Sequence, residues 1–96
     1  MATHIILVNL TDQGVVNVKT SPDRVESFAK LAEGFGVKVE HAYYTAGTFD
    51  IVIIVDGADE DVATAVLSAG TTGNVRSQTL RAFSADQMRD IVSKLS

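Results

Sequence analysis

A carboxylate and two phenols lie close together near the middle of the chain. Tyr43 and Tyr44 lie in one β-rich segment, and Asp50 begins the next segment after a short turn. A carboxylate held beside a phenol can act as a general base or orient a donor group of a ligand. In the structural alternative, Asp50 accepts hydrogen bonds from turn amides or from the Thr45 hydroxyl across the hairpin. The sequence leaves both interpretations open.

A second group of polar residues lies within the last predicted strand, near the carboxyl end of the sequence. Asn74, Arg76 and Gln78 alternate there, so a β-strand places them on one face. Arg76 can bind a carboxylate or phosphate through two parallel hydrogen bonds, and so anchor an anionic ligand or a subunit contact. Charged residues also protect an edge strand from pairing with another chain. The predicted ligand-binding set combines both groups: Asp50, Tyr43, Tyr44, Asn74, Arg76 and Gln78.

The two histidines give only a weak indication of a metal centre. Together with Asp50, His4 and His41 would supply the two imidazoles and one carboxylate of a non-haem iron site. No recognised ligand spacing relates them, and hydrogen-bonded histidines at strand ends account for both. A single histidine can bind haem, but nothing else in the sequence supports that group. We therefore predict neither a metal nor a cofactor.

Composition restricts the classes of function. The chain has 96 residues, which predicts a single domain over 1–96, and it has no cysteine, which excludes disulfides, thiolate metal clusters and a cysteine nucleophile. With 12 acidic and 8 basic residues and a net charge of −4, nucleic acid is an unfavourable partner. Ile51–Val55 is too short for a membrane helix, and the first residues lack the features of a signal peptide. We predict a cytoplasmic protein with no membrane partner.

Hydrophobic periodicity predicts the element order βαββαβ followed by a terminal helix. The predicted strands are 3–10, 37–46, 49–56 and 74–83, and the first of them, rich in Ile, Val and Leu, is expected to be covered on both faces. The predicted helices start at Ser21 as N-cap, at Asp59, and at the capping box that begins with Ser84. The inward residues predicted for these helices are Val25, Phe28, Leu31, Ala32 and Phe35, then Val62, Ala63, Val66, Leu67 and Gly70, then Met88, Ile91, Val92 and Leu95.

A tight hairpin is predicted between the second and third strands. Only Gly47-Thr48 separates the two β-rich segments, and glycine in the first position suits a type II′ turn because it accepts a positive φ. The resulting register pairs Thr45 with Asp50, Tyr43 with Val52, and His41 with Ile54. After the second predicted helix, the glycines and threonines of 70–73 are predicted to form a helix C-cap, since a phosphate-binding loop precedes its helix.

Two interleaved right-handed βαβ units give a ferredoxin-like α+β fold, an antiparallel four-stranded sheet with helices on one face. The other face of that sheet would be too rich in Ile and Val for contact with water. We therefore expect it to pack against a second subunit, as in a dimeric α/β barrel.

Nearly the whole chain resembles the GYD domain family, which is named for a Gly-x-Tyr-Asp motif. The stretches that carry the resemblance are MATHIILVNLTDQG (1–14), YTAGTFD (44–50) and GNVRSQTLRAF (73–83). Phe49 stands where the family name has tyrosine, which favours a packing role for this ring over phenol chemistry. His4 stands where an apolar or aromatic residue is expected.

The resemblance implies a dimeric α/β barrel type of domain with no settled activity. Proteins of that architecture include small monooxygenases, muconolactone isomerase-like enzymes and ligand-sensing domains, and the fold alone selects none of these roles. We therefore expect a homo-oligomer that binds a small metabolite, anionic if Arg76 contacts it, in a cleft between the sheet and a partner subunit. The alternative is a cofactor-independent monooxygenase or isomerase acting on an aromatic or quinone-like substrate, with Tyr43 or Tyr44, Asp50 and His41 in its pocket.

Overall fold

A four-stranded antiparallel sheet forms the centre of the molecule. The computed structural model describes residues 2–96. The strands are β1 (Ala2–Leu10), β2 (Lys38–Tyr44), β3 (Ile51–Gly57) and β4 (Val75–Ala82), and they lie in the order β2-β3-β1-β4. The helices are α1 (Asp12–Val16), α2 (Ser21–Gly34), α3 (Asp59–Gly70) and α4 (Ala85–Ser93), with a 3₁₀ turn at Val18–Thr20. The predicted α+β class and ferredoxin-like strand order are confirmed.

The hydrophobic core lies between one face of the sheet and helices α2 and α3. On this helix side, β1 and β3 contribute Ile6, Val8, Ile51, Ile53 and Val55, all of which are buried. The helices contribute mainly small residues: Ala32 from α2, and Val62 and Ala65 from α3. Small side chains bring the helix backbones close to the sheet, so a short chain can bury these aliphatic residues.

The opposite face of the sheet, here called the open face, has no such helix layer within residues 2–96. Cross-strand pairs place Ile5 beside Ile54 and Leu80, and Leu7 beside Val52. Leu80 is exposed, and the other four side chains are only partly buried. The prediction that both faces of β1 are covered is therefore wrong within one chain, because burial along β1 alternates.

The hairpin has the predicted register but a longer loop. Tyr43 pairs with Val52 and His41 with Ile54, as expected. The strands end at Tyr44 and Ile51, so six residues connect them, and the two-residue type II′ turn is wrong. The Thr45 N–H donates to the Asp50 carbonyl, while the Asp50 N–H donates to the Val8 carbonyl in β1. Asp50 is thus hydrogen-bonded to β1 as well as to Thr45, and the loop is wider than the predicted two-residue turn.

The first long helix starts one residue away from its predicted cap. Its N-cap is Thr20, which makes no side-chain capping bond, and Ser21 is already helical. The Ser21 hydroxyl instead lies 2.7 Å from the Tyr44 hydroxyl, which explains why a serine is buried there. Leu31 and Phe35 are more exposed than their predicted inward positions imply. The helix ends at Gly34, and Gly36 follows with a φ of +80°.

Helix α3 begins at Asp59, as predicted, but its inward face differs. The buried residues are Val62 and Ala65, whereas Ala63 is exposed and Leu67 is 71% exposed. The predicted stripe was therefore wrong at Ala63 and Leu67, because the side of α3 that contacts the sheet is centred on 62, 65 and 66.

Helix α4 has its predicted capping box but buries none of its residues. Ser84 accepts from the Gln87 N–H, and the Gln87 side chain accepts from the Ser84 N–H. Met88, Ile91 and Val92 are exposed in the helix, and so is Leu95, which lies beyond its end. The inward packing predicted for these four residues is therefore wrong within the chain. The strongly amphipathic helix thus presents an uncovered apolar side. Across residues 2–96, no helix combines the length and apolar character needed to cross a membrane.

A short helix that the sequence analysis did not predict follows β1 directly. Thr11 caps α1 by accepting a hydrogen bond from the Gly14 N–H. Gly14 is buried, and a Cβ atom there would lie 2.0 Å from the backbone oxygen of Asn74. Glycine is therefore required by the close approach of two backbone segments.

We expect Gly14→Ala to destabilise the protein by about 1–3 kcal/mol, because α1 must move away from Asn74. Gly34→Ala is the matched control, since a Cβ at Gly34 meets nothing within 4 Å. Urea unfolding of both variants measures the difference. Equal free energies of unfolding for Gly14→Ala and wild type would contradict the close approach.

Candidate functional site

The six predicted ligand-binding residues do not form one site within the chain. Tyr43, Arg76 and Gln78 lie on the open face, where they pair with Val52, Asn9 and Leu7. Tyr43 is in β2 and the other two are in β4, at opposite edges of the sheet. Three interstrand spacings separate those edges, or roughly 14 Å.

Asp50 joins the hairpin to the central strand. Its Oδ2 accepts a hydrogen bond of 2.8 Å from the Leu10 N–H at the end of β1. The Thr45 hydroxyl donates to the Phe49 carbonyl and not to Asp50. The partners predicted for the Asp50 carboxylate, turn amides or the Thr45 hydroxyl, are therefore wrong, because the carboxylate accepts from a strand amide distant in sequence.

The two tyrosines have different surroundings. The Tyr44 hydroxyl is hydrogen-bonded to Ser21 at the start of α2. The Tyr43 ring stacks on His41, with ring centroids 5.9 Å apart and planes inclined by 15°. Since Tyr43 and Tyr44 point to opposite faces of β2, only Tyr43 is available to a ligand on the open face.

Asn74 is buried just before β4 and fastens α1 to that strand. Its Oδ1 accepts hydrogen bonds from Gln13 Nε2 at 3.0 Å and from Asn17 Nδ2 at 3.3 Å. Its carbonyl accepts from the Thr11 N–H at 3.0 Å. The prediction that Asn74 lies on a strand face beside Arg76 is wrong, because β4 begins at Val75 and Asn74 turns toward α1.

Arg76 remains available for an interaction outside the chain. Its Nη1 donates to the carbonyl of Val75 at 2.7 Å and to that of Gly70 at 3.2 Å. Among residues 2–96, no carboxylate lies within 4.0 Å of its side-chain nitrogens. Arg76 is also exposed, so its charge faces solvent at the edge of the open face.

The two histidines lie on opposite faces of the sheet. His4 is buried on the helix side, where its Nε2 lies 2.9 Å from Asp59 Oδ1, and its Nδ1 has no partner among the described residues. Arg81 Nε lies 3.7 Å from the same Asp59 oxygen. His41 is exposed on the open face. Within the described chain, no three His, Cys, Asp or Glu residues are grouped to hold a metal ion.

One carboxylate on the open face has a perturbed pKa. The Thr3 hydroxyl donates a 2.6 Å hydrogen bond to Asp56 Oδ1. This bond holds the pKa of the Asp56 carboxyl below its ordinary value, against the smaller opposing effect of burial. The deprotonated form of Asp56 is thus the form that the fold stabilises.

A cavity of about 300 Å³ lies on the helix side of the sheet. Residues 21–31 of α2 and the carboxyl-terminal half of α3 form its walls, and β1, β3 and β4 form its floor. Of the six predicted residues only Asn74 lines it. Sequence reasoning missed this cavity because its lining residues look like ordinary core positions until both helices are placed.

The comparisons with known proteins agree with this fold. A sequence model described as the GYD domain matches residues 4–92. The chain belongs to the GYD domain family. A relative from Thermus thermophilus, named glutamine synthetase and cystathionine beta-lyase binding protein, is 33% identical over 97 residues, which cover 99% of each chain. The crystal structure of TTHA0845 from the same organism matches with a TM-score of 0.55 and 23% identity, covering 88% of this chain and 96% of that one.

The motif of this GYD domain has structural consequences at the hairpin. Gly47 adopts a φ of +144°, which a residue with a side chain rarely accepts. Asp50 joins the hairpin to β1 through its carboxylate and its N–H. Phe49 is partly buried beside them. The motif thus fixes the path of the hairpin, and the packing role predicted for Phe49 fits its position.

We expect Thr3→Val to raise the pKa of Asp56 toward its ordinary value, because the hydroxyl donor is lost. A carboxyl with a lowered folded-state pKa stabilises the protein above its unfolded pKa of about 4, and that contribution disappears as pH falls through the folded pKa. Thr3→Val should therefore lose less stability on acidification than wild type. Carbon-13 NMR titration of Asp56 and urea unfolding at several pH values measure both effects. An unchanged Asp56 titration would contradict the assignment.

Proposed function

We propose that this protein is a homo-oligomeric binding module whose partners are metabolic enzymes. The relative that is named as binding two enzymes carries this proposal, since its alignment with this chain covers 99% of both sequences. The binding stated in that name therefore belongs to a protein built on a domain of this kind. Glutamine synthetase and cystathionine β-lyase are the first partners to test.

The open face supports self-association through a second copy of the chain. Ile5, Leu7, Val52, Ile54 and Leu80 form a continuous apolar surface there. A domain this small gains little stability from one helix layer alone, so covering a second sheet face adds the burial that it lacks. Two copies related by a twofold axis would cover both open faces in a barrel-type dimer.

Helix α4 gives a second reason to expect a partner subunit. Its three large apolar residues, Met88, Ile91 and Val92, lie on one side of the helix and are exposed. The helix follows β4, and Gln78 and Leu80 of that strand pair with Leu7 and Ile5 on the open face. In the proposed dimer, α4 packs its apolar side against the other copy.

A different surface is available for an enzyme partner. Val15, Val16 and Val18 are exposed in α1 and the 3₁₀ turn that follows it, and Val16 is 83% exposed. Exposed apolar residues that are adjacent in space often mark protein contacts. We propose that these three valines contact the enzyme, because they do not belong to the open face that a second copy would cover.

Metabolite binding by Arg76 and Gln78 at the border of the open face stays a proposal. Arg76 has the free charge that an anionic ligand requires. The monooxygenase or isomerase alternative also stays a prediction. Asp50 and Tyr44 are engaged in hydrogen bonds within the chain, and Tyr43 and His41 stack on each other.

We expect Leu80→Glu to dissociate the oligomer, because it places a charge in the proposed apolar interface. Leu67→Glu is the matched control, since Leu67 is also exposed but lies on the outer side of α3. Native mass spectrometry gives the subunit number of each variant and of wild type. A monomeric wild type, or an oligomer unaffected by Leu80→Glu, would contradict the proposed interface.

We expect the immobilised protein to bind the glutamine synthetase or the cystathionine β-lyase of its own source organism. Biolayer interferometry measures this binding. Val16→Asp should weaken that binding at least about tenfold if the valines form the contact, whereas Leu67→Asp should not. Neither substitution should alter the subunit number. If neither enzyme binds wild type, enzyme binding of this kind is refuted. Binding unaffected by Val16→Asp would refute the valine surface.

A further inference from the structure

The cavity on the helix side offers a small apolar space. Val8, Ile51 and Ile53 form its floor, and Val25 and Phe28 of α2 form part of one wall. Its volume of about 300 Å³ lies at the lower end of the range for small-molecule sites. An apolar side chain or ring of a ligand would contact aliphatic and aromatic carbon on several sides.

The cavity exists because the two helices face each other there through small residues. Ser27 of α2 faces this space, and so do Ser68 and Ala69 of α3. Leu31, which also lines the cavity, is 40% exposed, and a space of about 300 Å³ remains between the helices and the sheet. An unfilled apolar cavity lowers stability, and a ligand that fits recovers part of the lost contacts.

Arg24 supplies the charge at this cavity. Among the described residues that line it, Arg24 is the only charged one. Its Nη2 donates to the Asn17 carbonyl at 3.0 Å, and its Nη1 donates to the Thr20 hydroxyl. Both acceptors are neutral, and within residues 2–96 no carboxylate lies within 4.0 Å of its side-chain nitrogens. The guanidinium is thus held in place with its charge unpaired and N–H groups to spare.

Asn74 is a buried polar residue on the same lining, which also includes five hydroxyl residues, Ser21, Ser27, Ser68, Thr72 and Ser77. Its Oδ1 accepts from Asn17 Nδ2, so Asn17 is bonded to both Arg24 and Asn74. Because Oδ1 is engaged with Asn17 and Gln13, the Nδ2 group of Asn74 is the part left to donate to a ligand. A carboxylate accepts hydrogen bonds only, which matches a lining that has Arg24 and Asn74 as donors and no Asp or Glu.

We infer that this cavity binds a small monocarboxylate with an apolar body, such as a medium-chain or aryl-substituted acid. The apolar body occupies the space over Val8, Ile51 and Ile53, and the carboxylate accepts hydrogen bonds from Arg24 and Asn74. The site shares no lining residue with the proposed enzyme contact, although Asn17, which is bonded to Arg24 and Asn74, lies between Val16 and Val18. The site is independent of the open face, because the sheet lies between the two.

The test is to titrate the protein with hexanoate, octanoate and 3-phenylpropionate. Isothermal titration calorimetry measures the affinity, and nitrogen-15 NMR locates the binding site. 3-Phenylpropanamide is the neutral counterpart of the last acid. Arg24→Met removes the charge, and Lys30→Met is the matched control on an exposed part of the same helix outside the cavity. Ala69→Phe fills the cavity from the side of α3.

At least one acid should bind saturably and shift amide signals of the cavity lining. Arg24→Met should lower the affinity of the protein for that acid roughly tenfold or more, as expected for loss of a charge-assisted hydrogen bond. Lys30→Met should leave the affinity unchanged, and Ala69→Phe should abolish binding. Equal affinity of Arg24→Met and wild type for the amide would show that the variant cavity is intact.

Several outcomes would overturn the inference. Absence of saturable binding by all three acids would do so, as would equal affinity of Arg24→Met and wild type for the acid. Signal shifts confined to the open face would place the ligand elsewhere. If the acids do not bind and Ala69→Phe dissociates the oligomer, a second copy of the chain covers this cavity. None of these results affects the enzyme-binding experiment.

Discussion

A sheet with two apolar faces and a single layer of helices to cover them is the constraint that governs this molecule. β1 is a central strand that pairs with both β3 and β4. Because successive side chains of a strand point to opposite faces, β1 contributes aliphatic residues to each face of the sheet. Ile6 and Val8 are buried under α2 and α3, whereas Ile5 and Leu7 remain partly exposed. Within residues 2–96, helices α2 and α3 cover only the face that carries Ile6 and Val8. The proposed oligomer follows from this imbalance, and in it the outward apolar side of α4 would be covered.

The parts of the fold that depend on neighbours in sequence could be predicted from the sequence. The register of Tyr43 with Val52 follows from two β-rich segments and the short turn between them. The capping box at Ser84 is a four-residue pattern, and the structure reproduces it fully. Even here the hairpin loop was predicted too short, since the position of Asp50 depends on a bond to β1 that no local pattern contains.

The candidate site was less accessible to prediction because its contacts join distant residues. His4 finds its partner in Asp59, 55 positions away, and Asn74 meets Gln13, 61 positions away. Helix α1 was missed for the same reason, since it is fastened by Asn74. The cavity requires the relative placement of two helices, so the unpaired charge of Arg24 acquires meaning only in the folded chain. An arginine near a helix start looks like any other solvated residue in the sequence.

The irregular edge of the sheet bears on the kind of assembly that the protein can form. β2 is an edge strand, and its pairing with β3 shifts between Val39 and His41, which leaves Glu40 as an extra residue. Such a bulge interrupts the regular row of backbone donors and acceptors on which another strand would have to align. Lys38 and Glu40 add charges beside it. Growth of the sheet from this edge into filaments is thereby opposed, so the proposed association through the open faces would give a closed particle of fixed size.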